Sequence, residues 1–253
     1  MNDVEGLLVD LDGTLYVGDE PIPGAVEAMR RIGDAGIPFR YVTNTTRKSR
    51  RAVAEALREM GFPLRTSRGE SLVYTPAAAA DRLLLDRRVH ALVAEPLLED
   101  LHGVVLTDRK PEYVLVGDLG DGFTYERLDR AFRHLVDGAE LVALQKNRYW
   151  QKGDGLSLDA GPFVAALEYA SGKEATVVGK PEKAFFEAAL GELGLEACRV
   201  AMVGDDAEAD VAGAKAAGLL GVQVETGKYR PGESGGADLV LESFADLTGA
   251  IGL

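Results

Sequence analysis

Four short polar clusters carry residue types that can do chemistry together. Val9-Asp10-Leu11-Asp12-Gly13-Thr14 holds two carboxylates two residues apart, and Thr43-Asn44 offers a hydroxyl and an amide. Gly179-Lys180-Pro181 brings one ammonium, and Val203-Gly204-Asp205-Asp206 brings two more carboxylates. Carboxylates gathered in one place repel, so such a cluster needs a neutralising partner. Oxygen ligands without His or Cys suit a hard cation, Mg²⁺ rather than Zn²⁺. Mg²⁺ in turn joins one or two carboxylates to a substrate phosphate. Lys180, Thr43 and Asn44 then supply donors to a phosphoryl oxygen, and a carboxylate can serve as the nucleophile that takes the group. Singly, each cluster reads as a turn, a strand-to-helix connection or a solvated lysine. Their shared placement is what argues for a site.

That placement comes from the elements around them. Residues 6–12 form a nearly continuous apolar run, as expected of a parallel strand covered on both faces. Strands are predicted over 38–43, 175–179, 199–203, 220–224 and 237–241, with helical patterns over 25–35, 49–60, 75–85, 182–193 and 210–217. Each polar cluster thus follows the carboxyl end of a predicted core strand, where open α/β sheets bind ligands. Alternating strands and helices predict an α/β fold with a parallel sheet between helices. The rhythm changes between residues 80 and 173, which predicts core segments 1–79 and 174–253 around an inserted α/β domain, 80–173.

Composition narrows the classes further. The 253 residues include 41 acidic and 28 basic side chains, a net charge of −13, which argues against a nucleic-acid or anionic-membrane partner. No apolar run approaches ~18 residues, so no membrane span is expected, and the first residues do not read as a signal peptide. Cys198 is the single cysteine, consistent with a reducing compartment and a cytoplasmic location. The three histidines, His90, His102 and His134, are scattered and form no zinc pattern.

Val9-Asp10-Leu11-Asp12-Gly13-Thr14-Leu15-Tyr16 resembles the signature of the haloacid dehalogenase superfamily. Thr43-Asn44, Gly179-Lys180-Pro181 and Gly204-Asp205-Asp206 with Asp210 resemble its three remaining motifs, in order. The resemblance covers the whole chain. It implies a Rossmann-like core and, from the position of the insert, a C2-type cap of subfamily IIA. It also implies an enzyme, a phosphoric monoester hydrolase using Mg²⁺ and an aspartyl-phosphate. Asp10 would be the nucleophile, Asp12 the acid and base, and Lys180 the charge partner held by Asp210. Thr43 and Asn44 would bind the phosphoryl group. The Asp10 and Asp205 carboxylates and the Asp12 carbonyl would hold the metal, with Asp206 behind them. Asp12 argues for phosphate chemistry over carbon–halogen cleavage, because a halide leaving group needs no proton. A phosphotransferase or mutase shares these residues; a non-catalytic phosphoacceptor needs neither Asp12 nor a cap.

In capped relatives the insert reads the leaving group. Asp118, Asn147 and Arg148 are the cap candidates for substrate contact, Arg148 by gripping a second anionic group. Gly161-Pro162-Phe163 and Thr226-Gly227-Lys228-Tyr229 resemble the branch of the phospholysine phosphohistidine inorganic pyrophosphate phosphatases, which makes pyrophosphate or a phosphoramidate the alternative to a small phosphomonoester. Relatives of this kind often dimerise through the cap, so a homodimer is a candidate assembly.

Overall fold

The computed structural model describes residues 4–64, 72–152 and 155–253, with the backbone alone for 150–152. The chain divides into two compact units, one of residues 1–43, 50–74 and 180–253, the other of residues 44–49 and 75–179.

In the first unit, six strands form one parallel sheet. Their spatial order is Leu239–Leu241, Leu220–Val224, Val200–Gly204, Gly6–Val9, Phe39–Val42, Val73–Tyr74. Counted along the chain, this is the doubly wound order 3-2-1-4-5-6, in which ligands bind where the winding reverses. The reversal lies between Gly6–Val9 and Val200–Gly204, paired from Gly6 with Val200 to Val9 with Val203. Every residue of these two strands is buried, as their apolar sequences demand of a sheet covered on both faces. Helix Ala25–Asp34 turns Ala25, Ala28, Met29 and Ile32 inward, the 3.6-residue spacing of an amphipathic helix. It stops at Gly36, whose φ of 74° is the left-handed conformation that closes a helix.

The second unit has its own five-stranded parallel sheet, in the order Thr176–Val177, Glu140–Ala143, Tyr113–Val116, Arg88–Leu92, Val105–Leu106. Its boundaries differ from the sequence expectation of 80 and 173. Helix Pro76–Leu83 places Ala77 and Ala80 in the apolar cluster with Val89, Val93 and Leu97, so this helix belongs to the second unit. The strand expected at 175–179 is shorter and pairs with Glu140–Ala143, not with the first sheet. Lys180 therefore does not follow a strand of the sheet that carries Asp10. Short apolar runs reveal a strand but not its neighbour, which is why the sequence could not assign it. Among the described residues, no helix is long and apolar enough to cross a membrane.

Ile32 is fully buried in the core of the first unit. Ile32→Ala should therefore cost about 2–5 kcal/mol in urea unfolding, whereas Val26→Ala on the half-buried flank of the same helix should cost about 1 kcal/mol. Equal costs at the two positions would contradict this packing.

Candidate active site

Asp10, Thr43 and Asp205 each stand one residue beyond a strand of the first sheet. The Asp10 N–H donates to the Val203 carbonyl at 2.9 Å, which fastens the two loops at the reversal point together. Asp10, Asp205 and Asp210 are buried, and one carboxylate oxygen from each lies within 4.8 Å of the other two. Lys180, also buried, donates from Nζ to Asp10 Oδ1 at 2.5 Å and to Asp210 Oδ1 at 2.6 Å.

The backbone bends to allow this. After Asp206 the chain winds as a π-helix, Ala207–Ala212, and continues as Gly213–Ala216, where the sequence predicted one ordinary helix over 210–217. Asp206 caps the turn by accepting from the N–H groups of Glu208 and Ala209 at 3.1 and 2.9 Å. The wide turn folds Asp210 back over Gly204, where a Cβ would collide with the Asp210 carboxylate. Asp210 Oδ2 in turn accepts from the Asp206 N–H at 3.1 Å.

The charges shift one another. Burial alone would lower the Lys180 ammonium, but Asp10 and Asp210 outweigh it and hold the group protonated. Burial, then the Asp10 carboxylate, push Asp205 up to about 6. Asp210 is raised for the same two reasons, against the pull of Lys180. Buried carboxylates raised in this way gain from a cation that takes the charge. Their oxygen-only donor set fits a hard divalent ion. Both Asp210 oxygens are engaged, one by Lys180 and one by the Asp206 N–H, while Asp10 accepts from Lys180 and, at 3.4 Å, from the Thr14 hydroxyl.

Asp12 is exposed, with its carboxylate outside the buried set. Thr43 is buried, and its N–H donates to Tyr74 O at 3.2 Å. Asn44 groups with the second unit, so of this pair only Thr43 shares the unit of Asp10. A third loop, outside the four motifs, also reaches the cluster. Thr226 Oγ1 donates to the Gly13 carbonyl at 2.5 Å, and the Lys228 N–H donates to Asp205 Oδ2 at 2.6 Å. Lys228 Nζ also pairs with Asp206 at 3.2 Å. Buried Gln223, beneath this loop, donates to the Asp205 carbonyl at 3.5 Å. The sequence offered Thr226–Tyr229 only as a string shared with relatives.

Within the second unit, Asp118 is buried and fully engaged. It forms a two-pronged ion pair with Arg47 and accepts from the Gly120 N–H at 2.8 Å. Its own N–H donates to Thr46 Oγ1 at 3.1 Å. Asp118 is thus held within its own unit by Arg47, a residue that the sequence reading did not single out. Asn147 and Arg148 are exposed. The Asn147 N–H donates to the side chain of Gln145, which donates to buried Asp159 at 2.5 Å. Burial, with Asp118 nearby, raises the Asp159 carboxyl.

Residues 7–107 match the profile of haloacid dehalogenase-like hydrolases, and residues 177–247 match a second profile described as HAD-hydrolase-like. The chain is 44% identical over 229 residues to the human haloacid dehalogenase-like hydrolase domain-containing protein 2, covering 90% of this chain and 86% of that protein. It is 38% identical over 255 residues to the zebrafish (Danio rerio) phospholysine phosphohistidine inorganic pyrophosphate phosphatase, covering 97% and 92%. Among solved structures, the p-nitrophenyl phosphatase from Archaeoglobus fulgidus superposes with a TM-score of 0.89 at 30% identity, covering 98% of this chain and 99% of that one.

Removing the Lys180 ammonium strands two buried carboxylates. Lys180→Met should cost roughly 3–5 kcal/mol in urea unfolding at pH 7.5. The cost should shrink as pH falls towards 5, because protonating the raised Asp210 removes part of the uncompensated charge. A penalty constant with pH would show that Lys180 acts by packing alone.

Proposed function

The chain belongs to the haloacid dehalogenase-like hydrolases and is a phosphatase, and we propose that it hydrolyses a small phosphomonoester through an aspartyl-phosphate on Asp10, with Mg²⁺ as cofactor. The observation that carries this reading is the buried triad of Asp10, Lys180 and Asp210 at the reversal point of the sheet. An isolated carboxylate is a poor partner for a phosphoryl dianion. Here Lys180 lies against the attacking carboxylate and is held there by Asp210.

In the first step an Asp10 oxygen attacks phosphorus in line, and the bond to the leaving oxygen breaks. Asp12, exposed beside the buried set, gives that oxygen a proton. In the second step Asp12 takes a proton from water, the water oxygen attacks phosphorus, and inorganic phosphate leaves Asp10 restored. Thr43, in the same unit as Asp10, donates to a phosphoryl oxygen. Lys180 balances charge on the transferring group. The Asp10 and Asp205 carboxylates and the Asp12 carbonyl would hold Mg²⁺, which supplies further charge neutralisation when bound.

The 38% identity to a pyrophosphate phosphatase favours a second substrate class, pyrophosphate or a phosphoramidate. Asn147 and Arg148, exposed in the insert that we read as a C2-type cap, remain our candidates for substrate contact. A lone exposed cysteine fits a cytoplasmic enzyme. A homodimer through the cap is the assembly we expect.

Phosphate release should be measured across sugar phosphates, nucleotides, amino-acid phosphates, pyrophosphate and phosphohistidine. Release should require Mg²⁺, stop with chelator, and fall by at least about 10³-fold in Asp10→Asn. Release that survives Asp10→Asn would sink the covalent mechanism. Asp12→Asn should slow phosphorylation of Asp10, in single turnovers, more for an alkyl phosphate than for an aryl phosphate, whose leaving oxygen needs less help from an acid. Equal slowing would remove Asp12 from the acid role.

A further inference from the structure

Lys228 stands outside the four motifs, yet its loop closes on the carboxylate cluster. The closure is made by main chain. The Lys228 N–H reaches Asp205 Oδ2 at 2.6 Å, and Thr226 Oγ1 holds the Gly13 carbonyl. Gly227, with φ of 57°, lies so close to Gly13 and Asp205 that a Cβ on either glycine would strike the Asp205 carboxylate. The Lys228 side chain is not needed for any of these contacts. Its ammonium is exposed and makes one ion pair, 3.2 Å from Asp206.

Charge is therefore what the side chain adds. Asp10, Asp205, Asp206 and Asp210 face two ammonium groups, Lys180 and Lys228. With all four carboxylates ionised, that balance leaves two negative charges, which one divalent cation cancels. With the cation bound, the cluster is neutral and receives a phosphoryl dianion without net repulsion. Without Lys228 the loaded cluster would keep a negative charge.

We propose that Lys228 is a charge-setting residue of this site: its ammonium loosens the grip on the divalent cation and strengthens the grip on the phosphoryl dianion. This inference rests on the proposed Mg²⁺ site and predicts two effects of opposite sign. Lys180 cannot do the same alone, because it is committed to Asp10 and Asp210.

Isothermal titration separates the outcomes. Mg²⁺ titrated into metal-free Lys228→Met should bind roughly three- to tenfold more tightly than to the natural chain, the effect of one nearby unit charge at partly solvated separation. Inorganic phosphate titrated into the Mg²⁺-saturated variant should bind more weakly by a similar factor. Lys228→Arg, which keeps the charge, should restore both affinities, and both differences should narrow in high salt. If both ligands bind more weakly, Lys228 is a strut for the loop and the inference falls. If neither affinity changes, its charge is screened and the inference falls. A natural chain that binds no Mg²⁺ overturns both this inference and the proposed cofactor. Normal Mg²⁺ binding with an unresponsive Lys228→Met overturns this inference alone.

Discussion

The buried contact of one lysine with two aspartates is the constraint on which the rest of the first unit depends. An ammonium and two carboxylates removed from water are expensive, and only close pairing makes the arrangement tolerable. Lys180 reaches both carboxylates within 2.6 Å. The surrounding backbone follows from that need. Asp210 must return over the strand end to reach Lys180, which needs the widened turn of Ala207–Ala212. The return path passes where a side chain on residue 204 would stand, so that residue is glycine. Asp206 holds the start of the turn, and its N–H takes the Asp210 oxygen that Lys180 leaves. One electrostatic requirement thus accounts for a glycine, a cap and a wide helical turn.

The sheet explains why these charges meet at all. In a doubly wound sheet the loops on the two sides of the reversal point diverge, and a crevice opens between them. Strands Gly6–Val9 and Val200–Gly204 border that crevice. Asp10 and Asp205, nearly two hundred residues apart in sequence, become neighbours because each is the first residue beyond its strand. The apolar interior does the positioning, with Leu7, Val9, Ala201 and Val203 buried in one cluster. Rigid strands carry the carboxylates, which keeps Asp10 and Asp205 in fixed geometry.

How much of this could be read in advance differed with the physics involved. Asp10 and Asp205 were legible because carboxylates stand at strand ends, and strand ends show in apolar runs, whereas Lys180 and Asp210 were legible through the motif resemblance. The alternation of strands and helices likewise declared the α/β class. Strand partnership was not legible. Residues 176 and 177 look like any short strand, and only pairing with Glu140–Ala143 assigns them to the second sheet. The boundary at 75 was missed for a similar reason. The alanines of Pro76–Leu83 suit either core, and the apolar cluster that takes them forms only in three dimensions. The contacts of Arg47 and Lys228 were not legible, because a surface-type residue declares no partner in sequence. Their partners, Asp118 and Asp205, are distant along the chain.

Arg47 and Lys180 also show why the two units use different cations. In the second unit, Arg47 binds Asp118 with two nitrogens while Asp118 accepts from Gly120 and donates to Thr46. The guanidinium is a rigid fork, suited to a pairing that is made once and kept. It fixes the 44–49 segment, which begins with the candidate phosphate ligand Asn44, to the body of its own unit. In the reaction proposed for the first unit the partner changes, from a bare carboxylate to a carboxylate carrying a phosphoryl group. A compact ammonium can turn its three donors towards whichever oxygens are present. On the proposed mechanism the choice of cation matches each task, since the arginine sets a permanent structure and the lysine follows a charge that moves.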